Sequence, residues 1–299
     1  MPQAIQPYDS SMTDAGKAGA VRALDAVTVR VRAANPSPMT LTGTNTYLVG
    51  VPGSGELVVV DPGPDQADHR EAVERAIDTA GAHVTAVVIT HHHADHAAAT
   101  GWAGDWGAPA YAFDPQRVPG AQPLADGATV PITGLEITVR HLPGHCSDHV
   151  CLEVAETGAV LTGDHILGEG TTVIAWPDGD LGQYLASLQA LRDLRPRVLY
   201  PGHGEVIDDP IARIDQLAAH RAQRTEQILA ALRAGAETVP DIVARVYPEL
   251  DARLRSAAGR SVQAHLADLE RRGRVRRVGA QADAAVAATG AEGVRWHGT

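Results

Sequence analysis

The run Thr90-His91-His92-His93-Ala94-Asp95-His96 constrains this chain more than any other feature. It follows directly on residues 83–90, a short β-branched stretch that reads as a buried strand. Imidazoles and a carboxylate at His-x-His-x-Asp-His spacing, on a loop leaving a sheet, can turn into one cleft. Such donors suit zinc or a similar divalent ion. Three later candidates also follow strand signals and stand beside glycine: His145 after Leu142-Pro143-Gly144, Asp164 after Leu161-Thr162-Gly163, and His203 in Pro201-Gly202-His203-Gly204. Glycine permits the tight turn and close backbone approach that such a site needs. In a chain with 14 histidines, a lone His145 or His203 would read as an ordinary loop residue. A patterned cluster joined by three glycine-flanked donors at strand ends reads as a metal site. His92 falls on an x position, so its side chain is expected to point away from the metals, in a packing or supporting role.

Around this cluster, strand and helix signals alternate. Strands are expected over 26–33, 47–51, 57–60, 83–90, 108–113, 150–154, 159–161 and 197–200, with a hairpin pairing 129–132 and 135–141. Helices are expected over 67–80, 95–106 and 181–194, followed by a long one that Asp209 caps, Pro210 opens and Gly235 ends. The alternation predicts an α/β (α+β) αββα sandwich: two mixed β-sheets face to face, helices outside, and the metal cleft at one sheet edge. Aromatics make up only 4% of the chain, so the core must rest on Val, Leu, Ile and Ala.

Charge divides the chain. Residues 220–299 hold 13 Arg against 9 Asp and Glu, a net of +4, which leaves residues 1–219 at -15 of the formal -11. With the long helix ending near 234–237, this sets the expected organisation: 1–20 a flexible N-terminus, 21–235 a domain that carries the metal cluster, and 236–299 a small winged-helix-like domain. In the last, Thr238 caps a helix bearing Ile242, Val243 and Val246. A second helix over 260–272 carries Val262, Leu266 and Leu269, and Gly273 stops it. Val275 and Val278 then alternate with Arg274, Arg276 and Arg277, as an edge wing would. Those arginines, with Arg271 and Arg272, could contact phosphates. The intervening Asp268 and Glu270 favour a basic face that only packs.

The motifs resemble the metallo-β-lactamase superfamily from about residue 43 to residue 208. The resemblance implies that His91, His93 and His145 hold one metal, that Asp95, His96 and His203 hold a second, and that Asp164 bridges them. Asp95 and Asp164 would then be the catalytic carboxylates. Zinc is the expected metal, with iron or manganese as alternatives. Histidine rather than glutamate at position 93 points to the hydrolytic branch, and Asp61 in Val60-Asp61-Pro62-Gly63 matches a motif with a structural or supporting role. Thr42–Val49, as Thr-Gly-Thr-Asn-Thr-Tyr-Leu-Val, and the stretch 163–172 are similar to the lactamase-beta-like protein 2 family. That family's C-terminal module resembles a winged helix, and it includes a single-strand RNA endonuclease and distant carrier-bound thioesterases. His165 departs from the pattern and is expected to face the core.

Hydroxide activated by metal would need no serine or cysteine nucleophile. Cys146, next to His145, is expected to be buried and inert, and Asp148 and His149 to orient His145 or a substrate. The leading expectation is hydrolysis of a small or carrier-bound ester or thioester. An RNA endonuclease is the alternative, which the acidic body disfavours. A nucleic-acid-binding regulator with a structural metal and an iron dioxygenase come behind. Two cysteines, no leader-like N-terminus and no apolar run of ~20 residues lead us to expect a cytoplasmic protein without a membrane span, not a secreted antibiotic-degrading enzyme.

Overall fold

The computed structural model describes residues 19–278 and 294–298, so most of the expected flexible N-terminus and the stretch after the wing's first strand lie outside the described residues. The chain divides into two compact units, each discontinuous. The first comprises Met1–His141, Asp148–Gly170 and Arg195–Pro210, and the second Leu142–Ser147, Thr171–Leu194 and Ile211–Thr299.

The first unit is a sandwich of two mixed sheets. Its larger sheet runs in sequence order through β1 (Val21–Ala23), β2 (Thr28–Arg32), β3 (Asn45–Val49), β4 (Glu56–Val60), β5 (His83–Val88), β6 (Ala110–Ala112) and β7 (Gln122–Pro123). Pairing is antiparallel as far as β4 and parallel from β4 onward. The smaller sheet has the order β11 (Val198–Pro201), β10 (Ala159–Gly163), β9 (Val150–Val154), β8 (Ile137–His141), with only β10 and β11 parallel. Side chains alternate across each strand. Tyr47, Val49, Val58, Val60 and Val88 therefore meet Ile137, Val139, Leu152, Leu161 and Tyr200 in the inter-sheet core. From the opposite face of the larger sheet, Leu48, Leu57, Val59 and Val87 pack on Ala72, Val73, Ala76 and Ile77 of α1 (Ala67–Ala80). That helix keeps the expected bounds, because its apolar stripe runs unbroken until Gly81, at φ 59, closes it and returns its N–H to Asp78 O.

Two expectations for this unit need correction. Residues 95–106 are not one helix: α2 (Ala94–Ala97), a 3-10 turn (Ala98–Gly101) and α3 (Trp102–Asp105) succeed one another. His93 caps the first piece in extended conformation, and Gly101 and Gly104 weaken the remainder. The first arm of the 129–141 hairpin is reduced to one bridge, Thr129 with Thr138, plus the bond from Val130 N to Ile137 O. Pro131 lacks the N–H that would carry the ladder further.

The second unit contains α4 (Leu181–Asp193), α5 (Pro210–Arg233, from Ile211 onward), α6 (Val239–Val246), a short 3-10 turn (Ala252–Leu254), α7 (Arg255–Arg271), and the antiparallel pair β12 (Val275–Val278) and β13 (Arg295–Gly298). Ile228, Leu232, Ile242, Val262, Leu266, Val275 and Trp296 form its core. Thr238 Oγ1 accepts from Asp241 N at 3.3 Å and so caps α6. Helix α7 begins five residues before the expected start at 260, because Arg255–Gly259 continue the turn that Asp251 caps. Among the described residues, no helix is long and apolar enough to cross a membrane.

Candidate metal centre

In the first unit the candidate donors come from carboxyl ends of strands. Asp61 follows β4, the His91–His96 loop follows β5, Asp164 follows β10, and His203 follows β11. Parallel pairing of β4 with β5 and of β10 with β11 puts these ends side by side within each sheet, where α/β folds place their ligands. The two sheets are joined at this edge. Thr44 bridges His203, and Asn45 N donates to Gly202 O at 2.8 Å.

Donor atoms converge in two groups. His91, His93 and Asp164 each offer one atom, and these lie within 4.8 Å of one another; Asp95, His96 and His203 do the same. Nε2 of His96 is 3.2 Å from Nε2 of His203, 3.4 Å from Asp164 Oδ1 and 3.8 Å from Asp95 Oδ2. Nε2 of His203 is 3.1 Å from Asp95 Oδ2 and 3.3 Å from Asp164 Oδ1. His91 Nε2 and His93 Nδ1 are 3.0 Å apart.

Hydrogen bonds behind the imidazoles assign their tautomers. Asp61 Oδ1 accepts from Thr90 N at 2.7 Å, and its Oδ2 accepts from Thr90 Oγ1 at 2.8 Å and His96 Nδ1 at 2.7 Å. Thr90 has thus spent its only hydroxyl proton, so at 3.0 Å it accepts from His91 Nδ1. His203 Nδ1 donates to Gly43 O at 3.3 Å. In their neutral forms His91, His96 and His203 therefore all present Nε2 lone pairs to the cluster. Two facing lone pairs flanked by carboxylate oxygens, with no proton between them, repel one another. A divalent cation satisfies all four, so the residues present fit such a group.

Acidity reports the same field. Burial opposes charge on His96, but the carboxylates of Asp61 and Asp164 outweigh it and hold the imidazole well above the usual range. Burial likewise opposes charge on His203, and Asp164 with Asp95 raises it to about 9. Asp164 is held well below the usual carboxylate range: burial pushes it up, and His203 and His96 pull it down by more. Protons and a cation would compete for the same lone pairs.

The remaining imidazole of the expected set, His145, belongs to the second unit. There its Nδ1 donates to Val173 O at 2.7 Å and lies 3.0 Å from Thr172 Oγ1, so Nε2 is the nitrogen that could meet a metal. Gly144 before it has φ 135, and a Cβ there would lie 2.3 Å from Tyr184 Cα, so only glycine fits.

His92 turns to Asp148, whose Oδ1 accepts from His92 Nδ1 at 2.8 Å and whose Oδ2 accepts from His92 N at 3.0 Å. Asp148 therefore anchors the histidine loop, a role different from the one expected for it. His149 Nε2 accepts from Asp164 N at 3.1 Å and fixes the backbone of that carboxylate. His165, Cys146 and Cys151 are all buried.

Sequence reasoning gave no role to Arg32, Asn45 or Tyr47. Arg32 Nε donates to Asn45 Oδ1 at 3.2 Å, which sets the amide so that Nδ2 donates to Pro201 O at 2.8 Å and Gly204 O at 2.9 Å. Tyr47 Oη adds a 2.7 Å bond to Pro201 O, and Arg32 Nη2 binds Glu205 Oε1 at 2.5 Å. These side chains clamp the turn that carries His203. The signal available for two of them was the Thr42–Val49 motif itself.

The chain is similar to known proteins over most of its length. The metallo-beta-lactamase superfamily model matches residues 39–203, and that of the beta-lactamase associated winged helix domain matches 238–283. The chain is 35% identical over 249 residues to a beta-lactamase-like protein 2 homolog of Caenorhabditis elegans, covering 80% of this chain and 82% of the relative. It is 36% identical over 237 residues to an atrochrysone carboxyl ACP thioesterase of Aspergillus chevalieri, covering 73% and 72%. A metallo-beta-lactamase family protein from Thermus thermophilus has a similar structure, with a TM-score of 0.75 and 26% identity over 93% of this chain and 100% of that one. A family match over more than half of the chain, with relatives this similar over most of its length, means that the chain belongs to the metallo-β-lactamase superfamily, as a hydrolase with a β-lactamase-associated winged helix domain.

Proposed function

We propose that this protein hydrolyses a thioester or related acyl bond on a small or carrier-bound molecule, at a site for two divalent metal ions, zinc first among them. His91, His93 and His145 would hold one ion, Asp95, His96 and His203 the other, and Asp164 would be shared. When bound, such ions supply an acidified water and polarise the scissile carbonyl. The protein's own groups do the rest. Asp61 and Thr90 keep His91 and His96 in their ligating tautomers. Asp148 holds the histidine loop, and the Arg32, Asn45 and Tyr47 clamp holds the His203 turn. In this reading residues 21–235 are the hydrolase domain, residues 236–299 the winged-helix-like domain, and the protein acts in the cytoplasm.

The observation that carries the site is the convergence of lone pairs on one point between His96, His203, Asp95 and Asp164. The substrate class is supported by similarity to the carrier-protein thioesterase of Aspergillus chevalieri. RNA cleavage is the second reading, through the wing arginines. Against it, Arg271 pairs with Asp180 at 2.7 Å, Arg272 with Asp268 at 2.8 Å, and Arg277 with Glu270 at 2.7 Å. Arginines already neutralised offer little to a phosphate backbone. The test sets acyl-pantetheine thioesters beside single-stranded RNA, for the wild type and Asp164→Ala. Thioester cleavage lost in the variant supports the proposal. Salt-sensitive RNA cleavage lost in the variant, with no thioester turnover, overturns it.

A further inference from the structure

Helix α5 gathers positive charge on one side. His220, Arg221 and Arg224 stand three and four residues apart or adjacent, so they share a face, and like charges at such spacings repel. Arg221 is only 3% exposed. Its Nη2 donates to Thr172 O at 2.5 Å, and its guanidinium stands 5.3 Å from the ring centre of Tyr184. Arg224 donates from Nη1 to Val246 O at 3.1 Å and covers Tyr247 at 4.1 Å. Neither these arginines nor His220 pairs with a carboxylate among the described residues. Elsewhere in the same unit the more exposed Arg192 and Arg271 do pair, with Asp215 and Asp180. This inverts the usual rule that a buried charge has a counter-charge while a surface one can go without.

Four nitrogens of this cluster are buried without a hydrogen-bond partner among the described residues: Nε of Arg221, Nε of Arg224, Nδ1 of His220, and Nε2 of His265 on α7. Thr225 ties His265 in. Its hydroxyl donates to Arg221 O at 3.0 Å and so accepts from His265 Nδ1 at 2.9 Å. The charges acting on both histidines are positive. Burial, then Arg221, Arg224 and Arg213, lowers His220; burial, then Arg221, Arg224 and His220, lowers His265 to about 3.

We propose that this face of α5, closed by His265, binds a phosphate group, either free or as an ester. Two guanidiniums and the His220 imidazole offer N–H donors in several directions, and neutral His265, already donating from Nδ1, offers its Nε2 lone pair to the hydroxyl of a singly protonated phosphate. A tetrahedral oxyanion has acceptors to match, where a planar carboxylate has two. His220 and Arg224 are half-buried, so the approach is from their side. Occupancy bears on chemistry, because Arg221 holds the carbonyl of Thr172, whose hydroxyl is 3.0 Å from Nδ1 of the candidate ligand His145. The proposal does not depend on which bond the enzyme cleaves.

The test is thermal unfolding of the full chain in sodium phosphate against sodium chloride at matched ionic strength. The melting temperature is expected to rise with the logarithm of phosphate concentration. Arg224→Gln and His220→Gln should each weaken apparent affinity by at least about tenfold, the loss expected for one charged hydrogen bond, while the exposed Arg276→Gln should not. Phosphate held at the metal centre instead would survive both substitutions. Tighter binding of 4′-phosphopantetheine than of inorganic phosphate assigns the site to a substrate arm, and equal binding assigns it to free phosphate. No stabilisation beyond chloride, or stabilisation that both variants retain in full, overturns the proposal.

Discussion

Asp61 Oδ2 accepts from His96 Nδ1 at 2.7 Å, and this one bond decides which nitrogen His96 offers to the centre. Through Thr90 the same carboxylate also sets His91, so one residue orients a donor in each group. Asp61 sits at φ 50, a conformation that asparagine tolerates. Asp61→Asn should therefore fold, yet its NH2 must replace one carboxylate oxygen and so face either Thr90 N or the Thr90 hydroxyl and His96 Nδ1, donor against donor. We expect zinc affinity to fall about 10–100-fold, measured by chelator competition, with the circular dichroism spectrum unchanged. Wild-type affinity in this variant would mean that Asp61 serves only the backbone turn.

The histidine run has a register that metal content can read. His93 Nδ1 lies among the donors, and His92 Nδ1 is held by Asp148. His93→Ala should lose about one equivalent of metal after dialysis, and His92→Ala should keep both, by the ligand logic of such sites. The opposite order would shift the ligand set by one residue.

Gly202 packs against the donors themselves. A Cβ there would stand 2.7 Å from His96 Cε1 and 2.8 Å from Asp164 Oδ1. Gly202→Ala must push one of them aside, and displacement of a reacting group by about 1 Å costs about 10²-fold in turnover. Steady-state kinetics should show that loss while the melting temperature stays near that of the wild type. Unchanged turnover would mean that the loop relaxes without moving its ligands.

Much of this was legible in the sequence, for identifiable reasons. The candidate ligands sit where glycine and strand ends mark them, and α1 announces itself through an uninterrupted stripe. The broken helix after His93 was not legible, since an alanine-rich segment scores as helix whether or not its hydrogen bonds hold. The edge strands β1, β7 and β13 are too short or too polar to carry an alternation. Asp148 was read toward His145, and its bond to His92, across 56 residues of chain, is a tertiary fact. The charge on α5 is visible in sequence, but the lack of a counter-charge beside Arg221 is visible only after folding.

Buried histidines make stability depend on pH. Burial and the neighbouring arginines lower His265 to about 3, from an ordinary value of 6.5. Burial also lowers His69 to about 4, against the opposing pull of the Pro62 backbone and Asp68. Between those values and 6.5 the unfolded chain binds protons that the folded one does not, so stability rises with pH there, is complete above 6.5, and is lost as pH falls. Each group contributes a slope of at most about 1.4 kcal/mol per pH unit. Denaturant titrations from pH 4 to 7 in phosphate-free buffer should show a shallower slope for His265→Asn, whose amide keeps the bond to Thr225. An unchanged slope would remove His265 from the account.

Zinc titration of the stripped enzyme during turnover of an acyl-pantetheine thioester tests a two-ion centre that cleaves an acyl bond. Activity should keep rising until about two equivalents are bound and then level off, as the two donor groups require. Full activity at one equivalent, or thioester hydrolysis indifferent to metal, would contradict it.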